Sequence, residues 1–217
     1  MAIKHHLVII NAGNFGREVL VWARQAVQAG APWQIKGFLD NRANALDGFS
    51  CGASILDTPE AYEPAANDLL LCALGDPLQK KTYTEILAAK GARFATLIHP
   101  TAVIGERVVI GEGGIIAPLT QLSCDIELGM HVMFGTLSTA AHDSRIGDYS
   151  QISGGCQLNG NAQIGEGVFV GANSTILPRA KVGDWSYVGA GSVVLRHVKT
   201  RTKVFGNPAI QIGIIDQ

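Results

Sequence analysis

The chain has 217 residues, which is enough for one large or two small domains. Its 17 basic and 18 acidic residues give a net charge of −1, and because no basic run is present we expect no nucleic-acid partner. The apolar runs are too short to span a membrane, and the N-terminus lacks the pattern of a signal peptide. The four cysteines are widely spaced, so we expect a cytoplasmic protein with reduced thiols and no metal centre.

The first 97 residues alternate apolar runs with stretches of helical periodicity. Strands that alternate with helices are typical of βαβ units, in which parallel strands form a doubly wound sheet. We therefore predict an α/β, Rossmann-like domain over residues 1–97. Its predicted strands are Leu7–Ile10, Ile35–Leu39, Leu69–Leu74 and Arg93–Ile98, and its predicted helices are Gly16–Gln28 and Asp76–Lys90.

From Ile98 a period of six residues replaces this alternation. Counting each hexad from Ile98, sixteen of the seventeen first positions up to Val194 are large and apolar, and Ala140 is the exception. The second position is often Gly, and the fifth is small or β-branched. This period predicts a parallel β-helix over residues 98–199. We expect the first positions to stack inside it, the glycines to adopt the corner conformation, and residues 200–217 to form a C-terminal cap.

Four segments of the sequence resemble one family. They are NAGNFGREV after the first strand, GFLDN, TLIHPTA at the entry to the hexads, and GNPA near the C-terminus. The chain resembles the bacterial hexapeptide-repeat sugar O- and N-acetyltransferases, the group that includes sialic acid O-acetyltransferases and nucleotide-amino-sugar N-acetyltransferases. The resemblance implies a left-handed β-helix, a homotrimer with active sites between neighbouring β-helices, and acetyl-CoA as co-substrate.

His142 and Asp143 are the candidate catalytic residues. His142 occupies the third position of its hexad, so we expect its side chain to project outside the coil. An imidazole can remove the proton of an attacking amine or hydroxyl, and a neighbouring carboxylate can orient the ring and stabilise its charged form. The family motif has a His followed by an acidic residue at this point. The alternative is a surface His that lies beside a surface Asp by chance.

The resemblance also implies residues that contact acetyl-CoA. Gln151 replaces a second His of close relatives, and it can donate a hydrogen bond to the thioester carbonyl. Gly160 matches a glycine whose N–H can stabilise the oxyanion, and Ala172 and Ala190 match positions along the pantetheine groove. Six basic residues in the last coils are candidates for the phosphates of coenzyme A, or form a solvated rim: Arg179, Lys181, Arg196, Lys199, Arg201 and Lys203.

The turn after the first strand is the candidate acceptor site. A dinucleotide fingerprint is incomplete here, because Asn11 replaces its first glycine, which disfavours an NAD site. In the family this turn holds a nucleotide-sugar and ends in Gly-His-Gly, where this chain has Asn14, Phe15 and Gly16. The substrate-binding residues that the resemblance implies are Gly13, Asn14, Phe15, Asp40, Asn41 and Gly75.

The leading hypothesis is an enzyme that moves the acetyl group of acetyl-CoA to an amino group of a nucleotide-linked sugar in surface-glycan biosynthesis, with His142 as base. One alternative is an O-acetyltransferase that acts on a sugar hydroxyl. Another is a non-catalytic trimeric scaffold that binds a nucleotide-sugar. A zinc enzyme of carbonic anhydrase type is disfavoured because His131 and His142 occupy different hexad positions.

Overall fold

The protein is described by a computed structural model that covers residues 5–215. The chain forms two compact units that divide between Pro100 and Thr101, three residues beyond the predicted boundary. We call them the α/β unit and the β-helix unit.

The α/β unit contains a five-stranded parallel sheet in the order β3-β2-β1-β4-β5. Helix α1 follows β1, and helix α2 follows β4, where Asp76 caps it by accepting a hydrogen bond from the Gln79 N–H at 2.8 Å. The elements are β1 His5–Ile10, α1 Asn14–Gln28, β2 Trp33–Leu39, β3 Ile55–Asp57, β4 Asp68–Cys72, α2 Pro77–Ala89, β5 Arg93–Phe94 and β6 Leu97–Ile98.

The strands of this unit differ from the sequence prediction. The predicted strand Arg93–Ile98 is two separate strands, β5 and β6, and β4 ends at Cys72 rather than Leu74. The edge strand β3 was not predicted, because its three residues have no apolar periodicity of their own.

The β-helix unit is built mainly of two-residue parallel strands that form three walls. Most of these strands pair with the strand three hexads later, as in Gln121 with Thr139. The first wall contains Val103–Ile104 (β7), Gln121–Leu122 (β10), Thr139–Ala140 (β13), Gln157–Leu158 (β16), Thr175–Ile176 (β19) and Val193–Val194 (β22). The second contains Val109–Ile110 (β8), Glu127–Leu128 (β11), Arg145–Ile146 (β14), Gln163–Ile164 (β17), Lys181–Val182 (β20) and His197–Val198 (β23). The third contains Ile115–Ile116 (β9), Met133–Phe134 (β12), Gln151–Ile152 (β15), Phe169–Val170 (β18), Tyr187–Val188 (β21), Thr202–Phe205 (β24) and Ile210–Ile214 (β25).

The predicted parallel β-helix is confirmed, and its core is the ladder of first-position residues together with the small fifth-position residues. The single phase was extended too far at its C-terminal end. Val198 pairs with Val182, whereas a step of three hexads would place its partner at Ala180. Val198 therefore occupies a ladder position, not the fifth position that a continuous count predicted, because the last coil is two residues shorter.

The role predicted for the second-position glycines was wrong. The corners are made by the fourth positions, and all fifteen of them from Arg107 to Gly191 have φ between 55° and 75°. Second-position glycines are instead required by close approach: a Cβ at Gly147 would lie 2.6 Å from the backbone N of Glu166. From Asp125 onward, the fourth-position residues are held in this conformation because their N–H groups bond to carbonyls of the preceding coil, as Asp143 does to the Cys124 carbonyl at 3.2 Å.

The predicted cap segment begins as an extension of the third wall. Strand β24 pairs in parallel with β21 and in antiparallel fashion with β25. The last two residues of the segment, 216 and 217, lie outside the described residues. Among residues 5–215, no helix has the length and apolar character needed to cross a membrane.

Candidate active site

The turn between the first and second walls carries the candidate base. Its residues repeat every three hexads, so third- and fourth-position side chains of successive coils stack in two columns along the axis. We call this edge the His142 corner. The third-position column contains Glu106, Cys124, His142, Gly160 and Pro178, and the fourth-position column contains Arg107, Asp125, Asp143, Asn161 and Arg179.

His142 projects outside the coil as predicted, and its side chain is 58% exposed. Its Nδ1 lies 2.7 Å from Oδ2 of Asp143, whose own side chain is 55% exposed. The left-handed backbone of Asp143, with φ of 59°, allows a residue adjacent in sequence to bend back to the ring. When Nδ1–H donates to this carboxylate, the lone pair of Nε2 is available to accept a proton.

Gly160 lies directly against the other ring nitrogen. A Cβ at this position would be 2.7 Å from Nε2 of His142, so any side chain here would displace the imidazole. The Gly160 carbonyl accepts a hydrogen bond from the Arg179 N–H at 3.0 Å. The Gly160 N–H has no partner within residues 5–215, so it is available to a substrate oxygen near Nε2.

One coil before His142 lies a second charged pair. Arg107 donates to both carboxylate oxygens of Asp125, at 2.5 and 2.9 Å. The bonds from Arg107 lower the pKa of Asp125 to about 2, and the charge of His142 acts in the same direction. The hydrogen bond to Asp125, with some burial, raises the pKa of the neighbouring Cys124 thiol. The imidazole of His142 therefore lies beside Asp143 and one coil away from the Arg107–Asp125 pair.

Three residues expected to contact acetyl-CoA lie elsewhere on the β-helix. Gln151 is on the third wall, the one that does not border the His142 corner, and it is 6% exposed. Ala172 and Ala190 stack one coil apart at the turn between the third and first walls. Within one chain, Gly160 alone of the four predicted residues lies against His142.

The six basic residues also divide between faces. Arg179 continues the fourth-position column of the His142 corner, and Lys181 lies on the second wall in register with Gln163. Lys203 lies on the third wall, in register with Tyr187. Arg179, Lys181 and Lys203 therefore lie on different faces of the β-helix, and the six basic residues do not form one patch.

A separate cavity lies in the α/β unit, at the carboxyl ends of β1, β2 and β4. This edge includes the point where the strand order reverses, which is where open α/β sheets bind ligands. Its lining residues are Ile10, Asn11, Leu39, Asp40, Asn41, Arg42, Pro59, Leu74, Gln79 and Tyr83. Among the predicted acceptor residues, Asp40 and Asn41 line this cavity.

Asp40 is fixed by its neighbours. It accepts hydrogen bonds from the Ala12 N–H at 2.8 Å and from the Arg42 side chain at 2.8 and 2.9 Å. Burial alone would raise the pKa of this carboxyl, but the bonds from Arg42 and Ala12 and the Arg42 charge hold it below its usual value. The Asn41 amide instead donates to Glu60 at 3.0 Å.

The other predicted acceptor residues do not line this cavity. Gly13 precedes helix α1, and Asn14 accepts a hydrogen bond from Arg17 at 2.9 Å. Phe15 packs edge-on against Trp22, with ring centroids 6.0 Å apart, and a Cβ at Gly75 would have no neighbour within 4 Å.

Sequence reasoning missed four polar residues that line the cavity: Asn11, Arg42, Gln79 and Tyr83. The position of Arg42 directly after the predicted Asp40–Asn41 pair was a usable signal. Gln79 and Tyr83 are one turn apart on α2, so helical spacing could have linked them. In the part of the chain that the structure describes, no group of three or more His, Cys, Asp or Glu residues could hold a metal ion.

Comparison with known proteins gives matches to both the repeat and the whole chain. Residues 161–196 match the family described as bacterial transferase hexapeptide (six repeats). The chain is 26% identical over 173 residues to GDP-perosamine N-acetyltransferase of Escherichia coli O157:H7, covering 77% of this chain and 76% of that protein.

Solved structures extend the likeness to both units. The acetyltransferase domain of PglB from Neisseria gonorrhoeae FA1090, in complex with acetyl coenzyme A, has a TM-score of 0.86 and 27% identity, covering 96% of this chain and 100% of that one. PerB from Caulobacter crescentus, in complex with CoA and GDP-perosamine, has a TM-score of 0.85 and covers 96% of this chain and 97% of that one. Its identity is 24%, so this second likeness concerns the fold alone.

These matches confirm the predicted class, an acetyl-CoA-dependent sugar acyltransferase, and with it acetyl-CoA as the co-substrate. The predicted resemblance to the hexapeptide-repeat sugar acetyltransferases is confirmed in particular.

Proposed function

We propose that the protein transfers the acetyl group of acetyl-CoA to the amino group of a nucleotide-linked amino sugar, with His142 as general base. The observation that carries this proposal is the His142–Asp143–Gly160 cluster. It presents a proton acceptor and a free backbone N–H within a few ångströms of each other. The likeness to the Escherichia coli protein named GDP-perosamine N-acetyltransferase supports an amine acceptor.

The reaction follows from the two ring nitrogens of His142. The acceptor nitrogen attacks the thioester carbonyl, and its proton passes to Nε2 as the C–N bond forms. Asp143 accepts the Nδ1–H and stabilises the imidazolium, while the Gly160 N–H donates to the oxyanion. When the tetrahedral intermediate collapses, the C–S bond breaks, and the proton on Nε2 can pass to the leaving thiolate.

We further propose that the α/β unit is a Rossmann-like domain that binds the nucleotide-sugar, and that the β-helix is left-handed, as the resemblance implies. The position of the cavity at the carboxyl ends of β1, β2 and β4 supports the first point. We also propose that the enzyme acts in the cytoplasm, in surface-glycan biosynthesis.

A homotrimer would explain why the residues expected to contact acetyl-CoA are dispersed within one chain. Gln151, Ala172 and Ala190 lie away from the His142 corner of their own chain, so a neighbouring β-helix can bring them to it. The particle mass from light scattering measures this directly, and a monomer that retains full activity would contradict it.

The decisive experiment combines binding and turnover for wild type and His142→Ala. We expect both to bind acetyl-CoA in calorimetry, and acetyl transfer to a panel of nucleotide-linked amino sugars to fall about 10²- to 10⁴-fold in the variant. His197→Ala is the matched control, because it removes another exposed histidine of the same unit.

Three results would change the assignment. Undiminished turnover by His142→Ala would contradict the proposed base. Transfer only to sugars that carry a hydroxyl at the reacting carbon would favour the O-acetyltransferase. A wild type that binds neither acetyl-CoA nor CoA would favour the scaffold.

A further inference from the structure

Arg42 is a cation on the acceptor cavity that neither the sequence pattern nor the comparisons assign a role. It follows strand β2 by three residues, and its side chain is 60% exposed. Among the described residues that line this cavity, Arg42 is the only cation and Asp40 the only acid. The charge that an anionic ligand meets in this cavity therefore comes from this pair.

The guanidinium is held in one orientation. Its Nε lies 2.9 Å from Oδ1 of Asp40 and its Nη2 lies 2.8 Å from Oδ2, which is a two-pronged contact. Asp40 is 7% exposed and also accepts hydrogen bonds from the backbone N–H groups of Arg42 and Ala12. Because Ala12 belongs to the turn after β1, these bonds tie Arg42 to the start of helix α1.

One edge of the guanidinium faces that turn. Nη2 lies 3.3 Å from Oδ1 of Asn11, and it would lie 3.2 Å from a Cβ at Gly13. Asp40 and Asn11 occupy Nε and Nη2, whereas Nη1 has no hydrogen-bond or ion-pair partner within residues 5–215. The two N–H donors of Nη1 on this fixed cation thus remain available to a ligand.

The described residues of the turn supply no competing cation. Arg17, the nearest basic residue in sequence, stacks on Phe49 with its guanidinium carbon 3.5 Å from the ring centroid, and it donates to Asn14. Arg17 does not line the cavity. A phosphate group at this turn would therefore find its charge partner in Arg42, whose planar donors match a pair of phosphate oxygens.

We propose that Arg42 binds the diphosphate of the acceptor and so selects sugars linked to a nucleoside diphosphate over free sugars and nucleoside monophosphates. This inference rests on the proposed function and names the determinant of its acceptor class. The amide of Gln79 and the ring of Tyr83, both on α2, line the same cavity and are available to the rest of the nucleotide.

The test is calorimetric binding of a matched ligand set to the full chain. The probes are the diphosphates of uridine, guanosine and thymidine, together with the corresponding monophosphates and nucleosides. For the diphosphate that binds best, we expect Arg42→Gln to weaken binding about 10- to 100-fold, because a charge-assisted contact is lost. Binding of the nucleoside should change little, and Arg42→Lys should recover part of the loss.

Two controls separate recognition from folding. Arg17→Gln removes a cation from the same region outside the cavity and should leave diphosphate binding unchanged. The double variant Arg42→Gln, Asp40→Asn removes both charges, so that no carboxylate is left unpaired. It should still bind the diphosphate weakly.

The inference is overturned if Arg42→Gln binds the diphosphate like wild type, if it weakens the nucleoside and the diphosphate equally, or if wild type binds none of the diphosphates. A failure of the proposed function looks different: diphosphates would bind in an Arg42-dependent way, yet no acetyl transfer to the linked amino sugars would occur. If the wild type bound no diphosphate but acetylated a free amino sugar, the role of Arg42 and the nucleotide-linked acceptor would both be overturned. The assignment of His142 as the base would remain.

Discussion

The α/β unit and the β-helix unit use similar residues for different physical reasons. In the β-helix, a second-position glycine such as Gly147 is needed because the next coil passes against it. In the α/β unit, Gly75 has open space on its Cβ side and an ordinary backbone. Buried polar groups differ too: Ser138 bonds to backbone atoms of the next coil, whereas Asp68 is the centre of a side-chain cluster.

The two candidate sites follow the same division. His142 and Asp143 are adjacent in the sequence. Gly160 lies beside His142 because it occupies the equivalent position one coil later. Asn11, Asp40, Arg42 and Tyr83 meet because separate strands end, and helix α2 begins, at the same edge of a sheet. In the β-helix, the site is thus formed by equivalent positions of successive coils. In the α/β unit, it is formed by segments that are distant in the sequence.

The largest difference in stability between the two units is expected when one methyl group is added at a glycine of each. Gly147→Ala should lower the free energy of unfolding by more than about 3 kcal/mol, because its Cβ would meet backbone atoms at 2.6 Å that cannot move without opening the coil. Gly75→Ala should change it by no more than about 0.5 kcal/mol. Thermal and urea unfolding measure both, and equal effects would show that coil spacing is not what requires the glycine.

A smaller effect is expected from the buried cluster of the α/β unit. Asp68 has a fully buried side chain and accepts bonds from Lys36 at 2.9 and 3.0 Å and from the Tyr62 hydroxyl at 2.6 Å. Asp68→Asn removes the charge that pairs with Lys36 and should cost about 3 kcal/mol. Tyr62→Phe, which removes a single bond, is the milder companion variant.

The loss of stability caused by Asp68→Asn should become smaller as the pH falls. Burial raises the pKa of this carboxyl, but the bonds from Tyr62, Lys36 and Ala65 outweigh it and leave the pKa lowered. A carboxyl with a lowered folded-state pKa stabilises the protein above its unfolded pKa, near 4, and this stabilisation is lost as the pH falls through the folded value. The difference between wild type and Asp68→Asn should be constant near neutral pH and shrink below about pH 4. A difference that grows on acidification would contradict the assignment.

The smallest effect is expected on the outer face of the β-helix. Arg145 and Glu127 pair at 3.2 Å across one coil, but their side chains are 67% and 60% exposed. Arg145→Ala should change stability by no more than about 0.5 kcal/mol, and the effect should vanish in high salt. Melting curves at two ionic strengths test this, and a loss comparable to that of Asp68→Asn would show that the surface pair is coupled to the core.

The sequence predicted the β-helix well because its signal is repeated. The apolar ladder and the exposed third-position His142 both follow from counting by six. The prediction by a period of six failed at Val198, because the coil before it is two residues shorter. It also failed at the corners, where residues as different as Leu119, Asp143 and Trp185 adopt the same left-handed backbone because neighbouring coils impose it.

The acceptor cavity was only partly predictable, because its residues are joined by contacts between distant segments. Asp40 could be found from its place after a strand and a family resemblance. The hydrogen bond that Asp40 accepts from the Ala12 N–H, and the orientation of Arg42 toward Gly13, depend on how two turns meet in space. Strand β3 escaped prediction for a similar reason, since its pairing with β2 defines it better than its own three residues.

Because each regular coil contains three hexads, equivalent positions along the β-helix are separated by whole coils. Arg179 stands two coils above Asp143 in the same column, and neighbouring coils are about 4.8 Å apart. An insertion of three hexads between them would lengthen their separation by one coil and leave every side chain on its wall. An insertion of a single hexad would rotate all later residues to the next wall. Insertions that keep every side chain on its wall therefore change distances along this unit only in whole coils, and a ligand that bridges two coils would have to match that spacing.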